Sequence, residues 1–318
     1  MIRPRVGVSS CLLGEPVRFN GGHSRDRFLT DVLGPYVDWV PICPEMEAGL
    51  GAPRETLRLE TSPTGPRLMT RTTRIDLTDR MTALARERAA GLLPDGYVFK
   101  AGSPSCGIRG IPLHRTGGGP PANRRNRGLF ADGIINALPL LPVEDDGRLN
   151  DALLRESFVE RVFAHARLRE LLDAEWRPGD LVAFHTRHKM QILAHDPGLY
   201  RQAGQIVACA GSRTRPRHEL VDAYAGAFCR ALARKASPGR NVNVLHHCMG
   251  MLDLDPVRRA DLLKVIDSYK AGLVPLSVPA TLVRHHANGQ NAEYARTQTF
   301  FAPYPEALRL RNHTPAGR

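Results

Sequence analysis

Three cysteines in the first third of the chain, Cys11, Cys43 and Cys106, are the residues best suited to do chemistry. They are separated by 32 and 63 residues, and no CxxC pair occurs. Each follows a short apolar run: Val6-Gly7-Val8, residues 37–42, and Tyr97-Val98-Phe99. In an open α/β sheet, ligands gather just beyond the carboxyl ends of the strands, so three thiols in this position can converge on one point. A lone cysteine is usually a small buried hydrophobe. That role suits one of these residues easily and three in the same topological position poorly. Their settings are polar and turn-forming: Ser9-Ser10-Cys11, Cys43-Pro44-Glu45 and Ser103-Pro104-Ser105-Cys106-Gly107. Three thiolates are one short of a closed zinc or iron–sulfur site, and an open metal position is where a substrate atom binds and is polarised. Glu45, two residues beyond Cys43, is placed to handle protons there, whereas Glu47 reads as a solvated loop carboxylate.

The elements that must position these residues alternate between strand and helix. Beyond the three apolar runs, a helical stretch over residues 24–34 is expected. A hairpin of Leu57–Glu60 and Arg67–Thr70 turns at Ser62-Pro63-Thr64-Gly65, and a helix over 76–93 starts from Asp76 as N-cap. This alternation predicts an α/β N-terminal domain with a mainly parallel, Rossmann-like sheet over residues 1–145. Residues 116–127 read as a mobile basic loop, and residues 139–147 as a linker. An all-α C-terminal domain over 150–318 follows, with helical periodicity in 151–174, 180–195, 217–235, 255–271 and 278–286. Asp255-Pro256 marks a helix start and Gly272 a stop.

Basic side chains outnumber acidic ones by 44 to 32, a net charge of +12 with His neutral. Residues 1–150 carry 20 basic and 16 acidic side chains (+4), and residues 151–318 carry 24 and 16 (+8). Such an excess favours a polyanionic partner, although thirty-nine Arg against five Lys also fits a GC-rich coding bias. No stretch approaches the ~18 apolar residues of a membrane span, and residues 1–5 lead into no signal-type run. A cytoplasmic protein without membrane contact is expected.

In the helical half, His185, His188, Lys189 and His195 share one predicted helix, but no acid or Cys completes a metal set. Caps, core hydrogen bonds or RNA contacts are the expected roles for these histidines and for His246-His247 and His285-His286. Cys209, Cys229 and Cys248 are expected in the core. Arg213, Arg215 and Arg217 cannot all be buried; they read as a solvated loop or as a phosphate clamp. With Arg187, Lys189, Arg124, Arg125 and Arg127 they are the candidate nucleic-acid contacts, RNA contacts under the resemblance given below.

Several of these motifs resemble the TudS desulfidase domain, formerly domain of unknown function 523. They are Ser10-Cys11-Leu12-Leu13-Gly14, Val17-Arg18-Phe19-Asn20-Gly21-Gly22, Cys43-Pro44-Glu45, Gly49-Leu50, Pro53-Arg54, Lys100 and Ser103-Pro104-Ser105-Cys106-Gly107. The second half resembles domain of unknown function 1722, through Phe184-His185-Thr186-Arg187-His188-Lys189, Tyr200-Arg201-Gln202-Ala203-Gly204, Asn241-Val242-Asn243-Val244-Leu245-His246-His247 and Pro303-Tyr304-Pro305. The fused pair resembles the RudS-type family of tRNA 4-thiouridine desulfidases over all but its termini.

The resemblance implies a 4Fe–4S cluster held by Cys11, Cys43 and Cys106 with one iron free. It also implies Glu45 as the group that activates water, and Ser103 as a second polar catalytic residue. The implied reaction converts 4-thiouridine in tRNA to uridine and hydrosulfide without net redox change, with tRNA as partner and no protein partner. Phe19-Asn20 stands where Tyr-Asp is expected. Two other readings compete: salvage of free thiouracil or 4-thiouridine monophosphate, and a non-catalytic iron–sulfur RNA-binding sensor.

Overall fold

The structure is a computed structural model that describes residues 2–92, 94–116, 120–212, 216–290 and 292–314. The chain divides into two compact units, Met1–Leu154 and Arg155–Arg318.

In the first unit the order is β1 (Arg5–Ser9), β2 (Asp38–Ile42), the single turn α1 (Pro44–Glu47), β3 (Leu57–Glu60), β4 (Arg67–Thr70), α2 (Thr78–Leu92), β5 (Gly96–Phe99), β6 (Ile111–His114), β7 (Pro121–Asn126), α3 (Leu129–Ala137) and β8 (Val143–Asp145). Strands β2-β1-β5-β8 make a parallel sheet, and β4-β3-β6-β7 a mixed one. Val6 and Val8 are fully buried and β5 is buried throughout, the near-continuous apolar reading of a parallel strand covered on both faces. Gly7 lies under the Tyr97 ring, where a Cβ would come within 2.4 Å of Cδ2. Tyr97 in turn stacks on Phe99 at 3.9 Å. From β1 the chain moves to β2 on one side and later to β5 on the other. The strand order therefore reverses beside β1, where open α/β sheets form a ligand crevice.

The hairpin at Leu57–Glu60 and Arg67–Thr70 pairs as expected, and the Asp76 carboxylate accepts the Thr78 N–H at the start of α2. Three expectations need correction. The basic stretch expected as a loop contains β7, antiparallel to β6 through register shifts. It is a polar, exposed edge strand whose order comes from backbone pairing, with Pro121 at its first position where a missing N–H costs least; residues 117–119 lie outside the described ones. The expected linker contains β8, which pairs with β5. The helical stretch begins near Phe28, as a π-helical turn Phe28–Leu33, and not at residue 24.

The second unit is helical: α4 (Ala152–Asp173), α5 (Pro178–His195), α6 (Pro197–Ala208), α7 (Arg217–Ala233), α8 (Pro238–Met249), α9 (Pro256–Lys270), α10 (Ser277–Gly289) and the short α11 (Glu293–Arg296). The sequence reading missed α6 and α8, although both carry start signals. Asp196 accepts the N–H groups of Gly198 and Leu199, and Ser237 that of Arg240, each just before a first-turn Pro. Asp255 caps α9 as expected. Cys248 is buried and Cys229 half-buried, but Cys209 is exposed at the carboxyl end of α6, contrary to the expected core position.

The α5 histidines do make core hydrogen bonds. His185 Nδ1 lies 3.2 Å from the Tyr224 hydroxyl, His188 Nδ1 donates to the Phe184 carbonyl at 2.8 Å, and His195 Nδ1 to that of Arg234 at 2.5 Å. Burial pushes His185 down to about 4 and His188 to about 3, so both stay neutral. Deeper in this unit, Glu160 accepts from Gln191 at 2.7 Å and lies 3.5 Å from His195 and 3.6 Å from Arg311. Arg311 also bonds Glu156 at 2.9 Å, which accepts from Tyr304 at 3.2 Å and lies 3.3 Å from His313. Among the described residues no helix is long and apolar enough to cross a membrane.

Candidate active site

The three N-terminal cysteines leave adjacent strand ends. Cys11 lies in the 3₁₀ turn Ser10–Leu13 straight after β1. Cys43 follows β2 and is the N-cap of α1. Cys106 sits on the loop after β5, where the Ser103 hydroxyl accepts the N–H groups of Ser105 at 3.2 Å and Cys106 at 3.1 Å. That loop is wedged against the start of α3. A Cβ on Gly128 would come within 2.5 Å of the Ser105 carbonyl, so only glycine admits the approach. Leu129 and Ala131 donate to the carbonyls of Pro104 and Ser105.

All three cysteines line one cavity of about 280 Å³, together with Glu45 and Ser103. All three are free thiols. Burial is the main reason that each is held protonated, pushing Cys11 up to about 11, raising Cys43, and raising Cys106 well above the usual range. Cys43 adds to the rise of both other thiols, so the three are close enough to act on one another. Among the described residues no three Cys, His, Asp or Glu side chains are grouped to hold one metal ion.

Glu45 is locked on one side. Arg54 donates through Nε, at 2.9 Å, and through Nη2 to the same oxygen, Oε2, and its Nη1 reaches the Gly51 carbonyl at 2.6 Å. The other oxygen, Oε1, faces the Ser103 hydroxyl at 3.4 Å. A carboxylate held in this way keeps one oxygen fixed and presents the other to the cavity. Lys100, also on the cavity wall, pairs with Asp146 at 2.5 Å, and Asp146 accepts the Ala101 N–H at 2.7 Å. Ser9 accepts the Lys100 N–H at 3.0 Å, and its hydroxyl works against the rise of the Cys106 thiol. Arg54, Asp146 and Ser9 carry roles that the sequence reading did not assign. The one available signal was Pro53-Arg54, nine residues past Glu45.

Of the expected RNA contacts, the three in the first unit, Arg124, Arg125 and Arg127, do not line this cavity. Arg124 and Arg125 are exposed on β7, and Arg127 just after it pairs with Asp132 at 3.2 Å. In the second unit Arg187 is exposed on α5, and Lys189 packs its ammonium 4.5 Å from the Tyr294 ring. Arg217 opens α7 with its guanidinium 4.0 Å from the Trp176 ring. Arg213 and Arg215 fall outside the described residues.

Residues 6–146 match the family model described as 2-thiouracil desulfurase, and residues 189–305 match that of a protein of unknown function, DUF1722. The chain thus carries a segment similar to 2-thiouracil desulfurase, followed by one similar to DUF1722. It is similar to the uncharacterized protein YbgA of Escherichia coli (strain K12), 28% identical over 159 residues that cover 49% of this chain and 94% of that protein. It is also similar to the solved structure of a 4Fe–4S-dependent thiouracil desulfidase, TudS, at 27% identity. That likeness covers 49% of this chain and 100% of the other, with a TM-score of 0.38.

Proposed function

We propose that this protein is a tRNA 4-thiouridine desulfidase, which replaces a thiocarbonyl sulfur by the oxygen of water and releases hydrosulfide. The observation that carries the reading is the convergence of three buried or half-buried thiols, one oriented carboxylate and a serine hydroxyl on one cavity of the desulfurase-family domain. Cys11, Cys43 and Cys106 would hold a 4Fe–4S cluster. The donor set fits that group: sulfur ligands are soft, and the three thiols line one cavity, close enough to raise one another. Three thiolates on four irons leave one metal without a protein ligand. When bound, such a cluster supplies a soft Lewis acid suited to a thiocarbonyl sulfur.

The chain's own groups handle water and protons. Arg54 holds Oε2 of Glu45, so Oε1 is the atom that accepts a proton from the attacking water. The water oxygen bonds to the ring carbon as its proton passes to Glu45. The carbon–sulfur bond then breaks, and the two hydrogens of the water end in one hydrosulfide and one free proton. No atom changes its net oxidation state. Ser103, hydrogen-bonded to Oε1 and to two backbone N–H groups, orients the carboxylate and the loop of Cys106 together.

The +8 excess of the helical half and the exposed Arg187 favour a polyanionic substrate over a free base. The second reading, a free 4-thiouridine monophosphate, is favoured by the cavity lining, all of which lies in residues 9–106. The deciding experiment incubates anaerobically reconstituted protein with thiolated tRNA and measures nucleosides by mass spectrometry. Conversion of 4-thiouridine to uridine is expected, and its absence overturns the proposal. Reversing Arg213, Arg215 and Arg217 to Glu separates the two readings: tRNA affinity and its salt slope should fall. An unchanged affinity would favour the free nucleotide.

A further inference from the structure

One cation on the cavity wall stands apart. Arg54 is committed to Glu45 and Gly51, and Lys100 to Asp146. Arg18 also lines the cavity and is half-buried, yet no carboxylate forms an ion pair with it among the described residues. Its guanidinium lies 5.8 Å from the centroid of the Phe19 ring. Phe19 lines the same cavity and is 42% exposed, so part of its ring is open to a ligand.

The backbone under this pair is held in place. Arg18 N donates to Gly22 O at 3.1 Å, Gly21 N to Arg18 O at 2.9 Å, and Gly22 N to the Asn20 side chain at 3.1 Å. Arg54 N donates to Phe19 O at 2.8 Å, which ties the turn to the residue that orients Glu45. An open aromatic face takes a base by stacking, and a planar guanidinium without a carboxylate takes a phosphate through paired N–H donors. At about 280 Å³ the cavity is at the small end of ligand pockets. It suits one pyrimidine, with the rest of the nucleotide left at the rim.

Resting on the desulfidase reading, we propose that Arg18 and Phe19 form a nucleotide clamp, in which Phe19 stacks on the pyrimidine and Arg18 binds a phosphate of the same nucleotide. The pair would set specificity: a phosphorylated nucleoside engages both residues, a free base or nucleoside only Phe19. The phosphate is the same chemistry whether it arrives in tRNA or as a free monophosphate.

The test measures binding of uridine monophosphate and uridine to the full-length, reconstituted protein by titration calorimetry, which needs no turnover. Wild type should bind the monophosphate more tightly. Arg18→Gln should lose roughly ten-fold or more for the monophosphate, the range of a charge-assisted contact, with little change for uridine. Arg18→Lys should fall between, since it keeps the charge and loses the fork. Phe19→Ala should weaken both ligands, and Phe19→Trp should restore them. Iron content and circular dichroism of each variant check that cluster and fold are intact. Equal affinity of wild type for the two ligands, or equal losses for both in Arg18→Gln, overturns the clamp.

Turnover assays then distinguish the source of the phosphate. A rise in KM of Arg18→Gln for both 4-thiouridine monophosphate and thiolated tRNA supports the clamp on either substrate. An unchanged KM for both overturns it while leaving the desulfidase reading intact. Discrimination in binding without any desulfuration by wild type would sink that reading and keep the clamp.

Discussion

Both units bury charged and polar groups, but they arrange them around different things. In the helical unit, Glu156, Glu160, Gln191, His195, Tyr304 and Arg311 answer one another, with carboxylates and donors in mutual contact. Burial alone would raise the Glu160 carboxyl, but its contacts with His195, Arg311 and Gln191 outweigh it and hold it down at about 2. The α/β unit places Glu45, Arg54 and Lys100 around an open cavity, beside three thiols that burial keeps protonated. A closed network makes a fixed structure. A cavity rimmed by oriented charges, with soft donors left to fill, makes a site.

The sharpest way to break this contrast is at the cysteines. Cys11→Ala, Cys43→Ala and Cys106→Ala should each abolish cluster retention and desulfuration, while exposed Cys209→Ala keeps both; iron and sulfide analysis reads the result. Full iron in any of the first three would remove that residue from the ligand set. Next, Glu45→Gln should keep the cluster and substrate binding but lose on the order of 10²–10⁴ in kcat, the usual worth of a positioned base; normal turnover would make Glu45 structural.

In the helical unit, Arg311→Ala leaves Glu156 and Glu160 buried without their shared cation. It should cost about 3–5 kcal/mol, read by denaturant unfolding, with little effect on iron content. The pH dependence follows from Glu160. Its folded pKa is depressed from 4.5 to about 2, so its contribution is present above about 4.5 and is lost as pH falls towards 2. Thermal stability should decline across that window in wild type and less in Glu160→Gln. The smallest effect is expected at the surface: Arg187→Ala should lower the salt slope of tRNA binding by about one unit. No change would take Arg187 out of the interface.

The candidate site was more legible than the edges of the fold. Cys11, Cys43 and Cys106 could be placed because each follows a run of core-forming residues, and such runs dominate a central parallel strand. Strands β7 and β8 escaped the same reading. Pro121–Asn126 has no apolar alternation, and Val143–Asp145 is three residues long with two carboxylates. Their order comes from partners distant in sequence. The lock on Glu45 was hidden for a similar reason: Arg54 reaches back across a loop, and spacing alone does not say that a guanidinium returns. Cys209 was misplaced because the last turn of an amphipathic helix looks apolar in sequence even where it runs out into solvent.

One contact near Cys106 has a consequence for how this domain can change. Gly128 N donates to Gly107 O at 2.7 Å, so the chain leaves the loop of Cys106 and returns to nearly the same point twenty-one residues later. The arm between, which contains β6 and β7, is a detour with its two ends fastened together. Lengthening or shortening the arm leaves this fastening at the cysteine corner in place. The extent of the arm and the geometry of the thiols can therefore vary independently, one by insertion and deletion, the other only by substitution.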